Sequence, residues 1–257
     1  MTSVHPTALV DPDARLGAGV EVGPYAIVGP GVSIGDGCRI GPHASLERNV
    51  RLGAGSRVGQ GSILGGDPQD LKYRGEESWV EIGDGVVIRE YSTVNRGTAQ
   101  SGTTRIGSGS YLMSYVHVAH DCQIGEGVIL SNATQLAGHV TIQDRANLSG
   151  LVAVHQFVSI GTLAFIGGCS RVAQDIPPYV KAVGNPVELF GLNTVGLQRA
   201  GVPAETIAAL KRLYRFCFNS DLNFSQAIDR ARMELPAFPE VERFLEFLAT
   251  SERGVPA

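Results

Sequence analysis

The sequence predicts an all-β parallel β-helix followed by an α-helical domain. From Val4 to Val172 every sixth residue is Val, Leu or Ile, and only three positions depart from this rule: Asp70, Glu76 and Gln100. Neither an α-helix nor an isolated strand repeats every six residues, whereas stacked coils with six-residue sides do. After residue 177 the period of six stops, and apolar residues recur at helical spacing instead.

The other positions of the six-residue unit fit the same coil. A glycine often follows the aliphatic residue, as at Gly17 and Gly107, and glycine suits a corner because it has no Cβ. The fourth residue after the aliphatic is small or β-branched, as at Ala26 and Val128, which suits a strand that faces a narrow interior. Three units then form one triangular coil of about 18 residues, with successive coils about 4.8 Å apart. Residues one coil apart in sequence should therefore lie above one another.

Two segments interrupt the repeat. Residues 65–81 break the hydrophobic pattern, and the aliphatic series resumes at Ile82, which is 18 residues, or one predicted coil, after Leu64. This spacing predicts a loop that protrudes from the coil without a slip in register. A shorter break runs from Asn95 to Arg105. Solenoid proteins often carry binding or catalytic residues on such loops.

Two adjacent prolines, Pro177 and Pro178, predict the end of the β-helix, because proline cannot donate a hydrogen bond to a strand ladder. We therefore expect a β-helix domain at residues 1–177 and a helical domain at residues 178–257. Helices at this end would cover the last coil and so protect its exposed strand edges.

The composition excludes several classes of function. The 257-residue chain has a net charge of −4 and no run of Lys or Arg, which argues against a nucleic-acid partner. No segment approaches the ~18 apolar residues of a membrane helix, and no signal peptide is visible. We therefore expect a cytoplasmic protein with no integral membrane segment. The four cysteines form no CxxC pair, which predicts packed free thiols rather than zinc ligands.

The densest group of ionisable residues lies in the second half of the repeat. Counting 18 residues from His120 leads to Gly138 and then to Gln156, so these three should form one column. Asp121 and His139 should form the neighbouring column by the same count. Four of the six histidines fall within these three coils: His117, His120, His139 and His155.

This histidine cluster has three possible interpretations. Polar corners of a solenoid often carry surface histidines of no special role. Histidines shared between subunits can bind a divalent ion, as in the carbonic anhydrases built on six-residue repeats. Histidine can also act as a general base near neutral pH, with a carboxylate to fix its tautomer and a glycine N–H to bind an oxyanion. The convergence of four histidines with an aspartate and a bare glycine argues against the first interpretation, and it leaves the metal site and the general base both open.

Six short strings give the chain a more specific resemblance. The sequence resembles the acyl-carrier-protein-dependent UDP-N-acetylglucosamine O-acyltransferases of lipid A biosynthesis, within the hexapeptide-repeat transferases. The resemblance rests on QDLKY at 69–73, AHDC at 119–122, LAGHV at 136–140, HQF at 155–157, GGCS at 167–170 and AQDIPPYV at 173–180. It implies a left-handed β-helix and a homotrimer with its active sites between subunits.

The resemblance also implies chemistry. The family transfers a 3-hydroxyacyl group from the phosphopantetheine of acyl carrier protein to the sugar 3-hydroxyl, and uses no metal or other cofactor. By resemblance, His120 is the general base, Asp121 orients it, and the Gly138 N–H stabilises the oxyanion. Gly168 would limit the length of the acyl chain. The residues implied to bind substrate are Gln69, Asp70, Lys72, His117, His139, His155, Gln156, Asn193 and Arg199.

Of three alternative functions, the first remains open at the level of residues, and the sequence disfavours the other two. An N-acyltransferase acting on a 3-amino sugar nucleotide would use the same base and oxyanion donor. A metal-dependent hydratase of the carbonic-anhydrase type would need a bound ion and no QDLKY-like loop. A scaffold without enzymatic activity would need no column of ionisable residues. The family pattern also differs at three positions of the segment expected to bind the nucleotide: Pro186, Val195 and Ala200.

Overall fold

The period of six corresponds to a ladder of very short parallel strands. A computed structural model describes residues 1–256. The strands before the first insertion are β1 (Ser3–Val4), β2 (Leu9–Val10), β3 (Arg15–Leu16), β4 (Glu21–Val22), β5 (Ile27–Val28), β6 (Ser33–Ile34), β7 (Arg39–Ile40), β8 (Ser45–Leu46), β9 (Val50–Leu52), β10 (Arg57–Val58) and β11 (Ile63–Gly66). In most of them the second residue is the aliphatic of the repeat.

The ladder continues beyond the insertion. These strands are β12 (Trp79–Ile82), β13 (Val87–Ile88), β14 (Thr93–Asn95), β15 (Thr103–Ile106), β16 (Tyr111–Leu112), β17 (His117–Val118), β18 (Gln123–Ile124), β19 (Ile129–Leu130), β20 (Gln135–Leu136), β21 (Thr141–Ile142), β22 (Asn147–Leu148), β23 (Ala153–Val154), β24 (Ser159–Ile160), β25 (Phe165–Ile166), β26 (Arg171–Val172), β27 (Val180–Val183) and β28 (Glu188–Leu192).

Every third strand joins the same sheet, so the chain winds around a triangular prism. The first sheet contains β1, β4 and so on to β25, and then β27 and β28; the second runs from β2 to β26, and the third from β3 to β24. All pairs are parallel except β27 with β28. This is the left-handed parallel β-helix that the resemblance predicts, and the fold class is confirmed.

The repeated aliphatics form the core of the prism. Ile34, Ile124 and Ile160 are 2%, 3% and 0% exposed, as the repeat predicts. Val4, in contrast, is 43% exposed because the first coil has no neighbour below it. Burying an aliphatic side chain contributes roughly 1.5–3 kcal/mol, so the stacked coils supply most of the driving force for folding.

Both insertions leave the coil at the corner between the second and third sheets, which we call the insertion corner. The first insertion, the arm, comprises residues 67–78 between β11 and β12, and the second, the short loop, comprises residues 96–102 between β14 and β15. Leu64 pairs with Val94 rather than with Ile82, because the arm lengthens its coil by two units of the repeat. The expected one-coil step from Leu64 to Ile82 is therefore wrong: Ile82 lies on the next face and pairs with Leu52.

The chain after residue 177 first extends the first sheet and then forms helices. Strand β27 pairs with β25, and β28 turns back against β27. The helices are α1 (Thr194–Arg199), α2 (Ala204–Phe218), α3 (Phe224–Glu234) and α4 (Pro239–Thr250). The last residues return to the prism, where Ser251 donates a 2.7 Å hydrogen bond to Asp175. Within residues 1–256 no helix is long and apolar enough to cross a membrane.

Candidate active site

The predicted column forms at the insertion corner. His117 pairs with Gln135, which pairs with Ala153, so these three coils stack at the regular coil spacing. The corner that follows each strand repeats the same backbone conformation. Asp121, His139 and Phe157 occupy its left-handed position, with φ near +62° in each case. Their side chains therefore leave three successive coils in the same direction, and those of His120 and Gln156 flank them.

His120 and Asp121 form a hydrogen-bonded dyad. The Nδ1 atom of His120 lies 2.8 Å from Oδ2 of Asp121. The Asp121 side chain is completely buried, and that of His120 is 12% exposed. An ionised Asp121 accepts the proton on Nδ1, which leaves Nε2 of His120 free to accept a proton. This is the arrangement that a general base requires.

The short loop holds Asp121 in place. The backbone N–H of Thr98 donates to Oδ1 at 2.9 Å, and the Thr98 hydroxyl donates to Oδ2 at 2.8 Å. Ser101 donates a further short hydrogen bond to Oδ1. Burial acts to raise the pKa of Asp121, but the hydrogen bonds from Ser101, His120 and Thr98 outweigh it and hold the pKa below its usual value. Asp121 is therefore a carboxylate at neutral pH.

The neighbouring histidines are held neutral. The His139 ring stacks on Phe157, with centroids 4.5 Å apart, and meets the His120 ring edge-on. Burial lowers the pKa of His139, although Asp121 acts in the opposite direction. Burial also lowers the pKa of His117, whose Nδ1 lies 2.7 Å from the Thr93 hydroxyl. Neutral rings leave Asp121 as the principal charge beside His120.

Gly138 lies directly against the His120 ring. A Cβ built on Gly138 would come within 2.5 Å of Cε1 and 2.7 Å of Nε2 of His120. Any side chain at this position would therefore displace the His120 ring. Within the described residues the Gly138 N–H donates no hydrogen bond, so it is available to an oxyanion.

The arm folds over the dyad and encloses a cleft of about 620 Å³. One wall carries His120, His139, Gln156 and Phe157. The opposite wall is formed by arm residues from Gln69 to Tyr73, and short-loop residues Thr98 to Gln100 close one side. A larger groove of about 850 Å³ follows the outer face of the first sheet. The lining of that groove includes His5 and Glu21, but His5 is hydrogen-bonded to Thr7 and no described contact joins it to Glu21. We therefore place the site in the cleft under the arm.

Known proteins share both the repeat and the tail. The family model for bacterial transferase hexapeptides matches residues 31–66 and 103–138, and that for UDP-N-acetylglucosamine O-acyltransferase domain 2 matches residues 175–256. The acyl-[acyl-carrier-protein]–UDP-N-acetylglucosamine O-acyltransferase of Anaeromyxobacter dehalogenans is 45% identical over 98% of this chain and 99% of its own length. The chain belongs to this acyltransferase family. The resemblance predicted from the six strings is thus confirmed.

Solved structures of the acyltransferase family have the same fold over the full chain. The UDP-N-acetylglucosamine acyltransferase of Bacteroides fragilis superposes with a TM-score of 0.97 at 41% identity and covers 99% of this chain and 100% of its own. The enzyme of Francisella novicida has a TM-score of 0.94 at 35% identity, with 100% of this chain and 94% of its own covered. The likeness therefore extends to the arm and the helices.

The structure separates the remaining predicted site residues of this acyltransferase from the cleft. His155 is exposed at the insertion corner, with Nδ1 3.1 Å from the Gln156 carbonyl. Gly168 lies at the corner between the first and second sheets. Asn193 caps helix α1 and donates to the carbonyl of Leu163, which lies at the corner between the third and first sheets. Arg199 lies in the last turn of α1 and is exposed.

Several residues that contact the predicted site were not predicted. Thr98 and Ser101 bind Asp121, while Tyr73, Gln100 and Phe157 line the cleft. The break in the repeat at residues 95–105 marked the right segment but gave no means of choosing among its polar residues. The only sequence feature that could have pointed to Thr98 and Ser101 was the presence of hydroxyl side chains within this break.

Together with His139, the two residues of the dyad form a group that could hold a metal ion. Possible ligand atoms of His120, Asp121 and His139 lie within 4.8 Å of one another. Both Asp121 oxygens, however, already accept hydrogen bonds. Oδ1 accepts from the Thr98 N–H and from Ser101, and Oδ2 accepts from the Thr98 hydroxyl and from His120. A cation bound to Asp121 would compete with these donors for the carboxylate lone pairs.

Proposed function

We propose that this acyltransferase moves a 3-hydroxyacyl group from acyl carrier protein to the 3-hydroxyl of UDP-N-acetylglucosamine, the first step of lipid A synthesis. The observation that carries the proposal is the His120–Asp121 dyad facing Asp70 and Lys72 of the arm across one cleft. The name of the Anaeromyxobacter relative, an acyl-[acyl-carrier-protein]–UDP-N-acetylglucosamine O-acyltransferase, supports the same reaction.

In the proposed reaction His120 acts as the general base. Its Nε2 takes the proton from the sugar 3-hydroxyl, while Asp121 keeps the other ring proton on Nδ1. The sugar oxygen then attacks the thioester carbonyl. Asp121 stabilises the imidazolium ion that forms, because the two groups are hydrogen-bonded in a buried site.

The Gly138 N–H is the proposed oxyanion donor. Attack converts the thioester carbonyl oxygen into an alkoxide, and an amide N–H beside His120 can stabilise that charge. The attack forms the new carbon–oxygen bond, and collapse of the intermediate restores the carbonyl of the ester and breaks the carbon–sulfur bond. The imidazolium of His120 returns its proton to the phosphopantetheine thiolate. The thioester is already activated, so neither a metal ion nor a redox cofactor is part of this proposal.

The arm is the proposed binding element for the sugar nucleotide. Gln69, Asp70 and Lys72 line the cleft opposite His120 and offer an amide, a carboxylate and an ammonium group. Gln156 and His139 line the prism side, with polar groups for the acceptor or the thioester. His117 and His155 are not among the residues that line this cleft, and their proposed contacts with substrate lie outside it.

We also propose a homotrimer with sites shared between subunits. Asn193 and Gly168 lie at the two other corners of the same prism, so they cannot line the cleft under their own arm. Prisms packed around a threefold axis bring different corners of neighbours together. Gly168 would then limit the acyl chain, and Asn193 and Arg199 would contact the nucleotide, from an adjacent subunit. Because acyl carrier protein is a soluble donor, we place the reaction in the cytoplasm.

Mass spectrometry of the product tests the proposed reaction. The purified protein is incubated with UDP-N-acetylglucosamine and a panel of 3-hydroxyacyl carrier proteins. We expect one acyl ester per sugar nucleotide, lost on mild alkaline treatment. An alkali-stable amide formed only from the 3-amino sugar nucleotide would favour the N-acyltransferase. Absence of any acylated product with both acceptors would contradict the proposal.

Co-expression tests the shared site. His120→Ala and Arg199→Ala variants are each expected to lose most activity, and their co-expression is expected to restore part of it. A mixed trimer contains at least some interfaces at which an intact His120 meets an intact Arg199 of the neighbour. No recovery in demonstrably mixed trimers, or a monomer with full activity in light scattering, would contradict the shared site.

A further inference from the structure

Arg96 is a buried cation whose side-chain partners all belong to the arm or its base. Its side chain is 3% exposed, although it lies at the start of the short loop on the outside of the prism. One terminal nitrogen donates to the carbonyl of Gly65, and the other donates to the carboxylate of Asp67 and, at 3.0 Å, to the hydroxyl of Tyr73. A buried guanidinium is costly unless it is paired in this way.

These contacts hold both ends of the segment that carries the proposed sugar-binding residues. Gly65 and Asp67 precede Gln69, and Tyr73 follows Lys72. The segment between them is folded on itself, because the Lys72 N–H donates to the Asp70 carboxylate at 2.9 Å and the Tyr73 N–H to the Asp70 carbonyl at 3.0 Å. A cation fixed at both ends of this folded turn therefore determines where the whole turn lies.

The same short loop also fixes the base. Two residues beyond Arg96, Thr98 makes two hydrogen bonds to Asp121. The peptide from Arg96 to Thr98 thus connects the arm to the His120–Asp121 dyad. Because the backbone N–H of Arg96 also donates to the Gly66 carbonyl at 3.0 Å, this connection is fixed to the base of the arm as well.

We infer that Arg96 is a positioning residue, which holds Gln69, Asp70 and Lys72 of the arm at a fixed distance from His120. Its catalytic consequence rests on the proposed function, whereas its effect on the arm does not. Arginine suits this role because its planar guanidinium can serve three acceptors at once, whereas lysine offers a single compact charge. Arg96 itself does not line the cleft, so it acts on substrate only through the arm.

Limited proteolysis tests the anchoring independently of any activity. Trypsin cuts after Lys72 and Arg74, and both sites lie in the arm. In Arg96→Gln we expect cleavage at these sites to become about tenfold faster or more, because local opening governs cleavage. The control is Arg105→Gln, which removes an exposed arginine paired with Glu81 on the third sheet. Equal cleavage of the two variants would overturn the inference.

Kinetics test the catalytic consequence. In Arg96→Gln we expect kcat/KM for the sugar nucleotide to fall by about tenfold to a hundredfold, mainly through a higher KM, because misplaced binding groups weaken acceptor binding. The pH profile of kcat should not change, since Thr98 and Ser101 still hold Asp121. Arg105→Gln should retain normal kinetics. If the arm of Arg96→Gln is cleaved faster but its KM for the sugar nucleotide is unchanged, the positioning role is overturned and the proposed reaction is not.

Variants on the arm side cover the case in which Arg96→Gln does not fold. Tyr73→Phe and Asp67→Asn each remove or weaken one contact to Arg96 without burying a new charge. Each should give a smaller increase in cleavage than Arg96→Gln, and the double variant should exceed either single variant. If the double variant is cut no faster than wild type, the anchoring by Arg96 is refuted.

Discussion

Two histidines at different corners of the same prism show what the insertions contribute. His43, at the corner between the first and second sheets, is exposed and stacks on Tyr25, with ring centroids 5.0 Å apart. His120, at the insertion corner, is nearly buried and bonded to a fully buried carboxylate. The repeat supplies both corners with equivalent backbone, with His43 at the left-handed position (φ 55°) and His120 one residue before it. Only the insertion corner is covered by added loops. Burial by the arm and the short loop therefore turns a surface histidine into part of a dyad.

The comparison also explains why the site is polar yet does not destabilise the prism. The ionisable side chains lie outside the aliphatic core, and the short loop supplies Asp121 with hydrogen bonds from Thr98 and Ser101. The coils can therefore keep their regular spacing above the insertions. Stability and chemistry depend on separate parts of the molecule, and each can be perturbed alone.

The largest expected effect comes from breaking the prism that both corners share. Ile124 is 3% exposed in the interior of the third sheet. Ile124→Asp places a carboxylate in that apolar interior without a partner, so we expect no folded protein. Circular dichroism and size-exclusion chromatography would show this. A folded and active Ile124→Asp protein would contradict the assignment of the repeat to the core.

His120→Ala should have the next largest effect. We expect turnover to fall by about 10²–10⁴-fold, the usual contribution of a positioned general base, with the fold intact. His43→Ala is the matched control and should retain normal turnover, because His43 has no carboxylate partner among the described residues and lies at another corner. Steady-state kinetics of both variants decide the point. Near-normal turnover of folded His120→Ala would exclude His120 as the base.

Gly138→Ala tests whether a single added methyl group disturbs the insertion corner more than it disturbs another corner. The new Cβ would meet the His120 ring at 2.5 Å, so the ring must move. We expect turnover to fall by about 10²-fold or more, in the range found for loss of an oxyanion donor. The equivalent change Gly150→Ala, where the nearest atom is 3.3 Å away at another corner, should be tolerated. Equal activities for the two variants would argue against the close packing of Gly138 on His120.

Gly168→Met tests whether the corner between the first and second sheets contributes to acyl selection. A Cβ at Gly168 would contact only the Gly150 carbonyl at 3.3 Å and Ser149 at 3.9 Å, so the fold can accept a side chain. We expect the preferred acyl chain to become shorter, because the methionine would fill the end of its channel. Competition between carrier proteins loaded with different chains measures the preference. An unchanged preference would show that Gly168 does not limit chain length.

The smallest expected effect is a dependence of stability on pH. Burial lowers the pKa of His117, so the folded protein binds this proton only at lower pH than the unfolded chain does. Below about pH 6.5, where the unfolded histidine becomes protonated, unfolding should therefore become easier. His117→Gln should reduce this loss of stability, as measured by urea denaturation on both sides of that pH. An identical pH dependence in His117→Gln and wild type would contradict the assignment.

The sequence was sufficient to predict the column of stacked site residues, but not the loop residues that surround it. The regular coil spacing correctly predicts that His120, Gly138 and Gln156 are stacked, because backbone pairing fixes that register. The spacing fails at Ile82 because the arm adds two repeat units to its coil. The short loop adds one unit to the following coil, and both insertions leave the aliphatic series in phase because they consist of whole units. Thr98 and Ser101 could not be identified, since their contact with Asp121 depends on the path of a loop that has no repeat.

A structure of the protein with UDP-N-acetylglucosamine bound tests the central claim most directly. The account places the sugar in the cleft under the arm. It predicts the 3-hydroxyl oxygen within hydrogen-bond distance of Nε2 of His120, and Asp70 or Lys72 in contact with the sugar nucleotide. A sugar nucleotide bound along another face of the prism, or in the cleft with its 3-hydroxyl directed away from His120, would contradict the account.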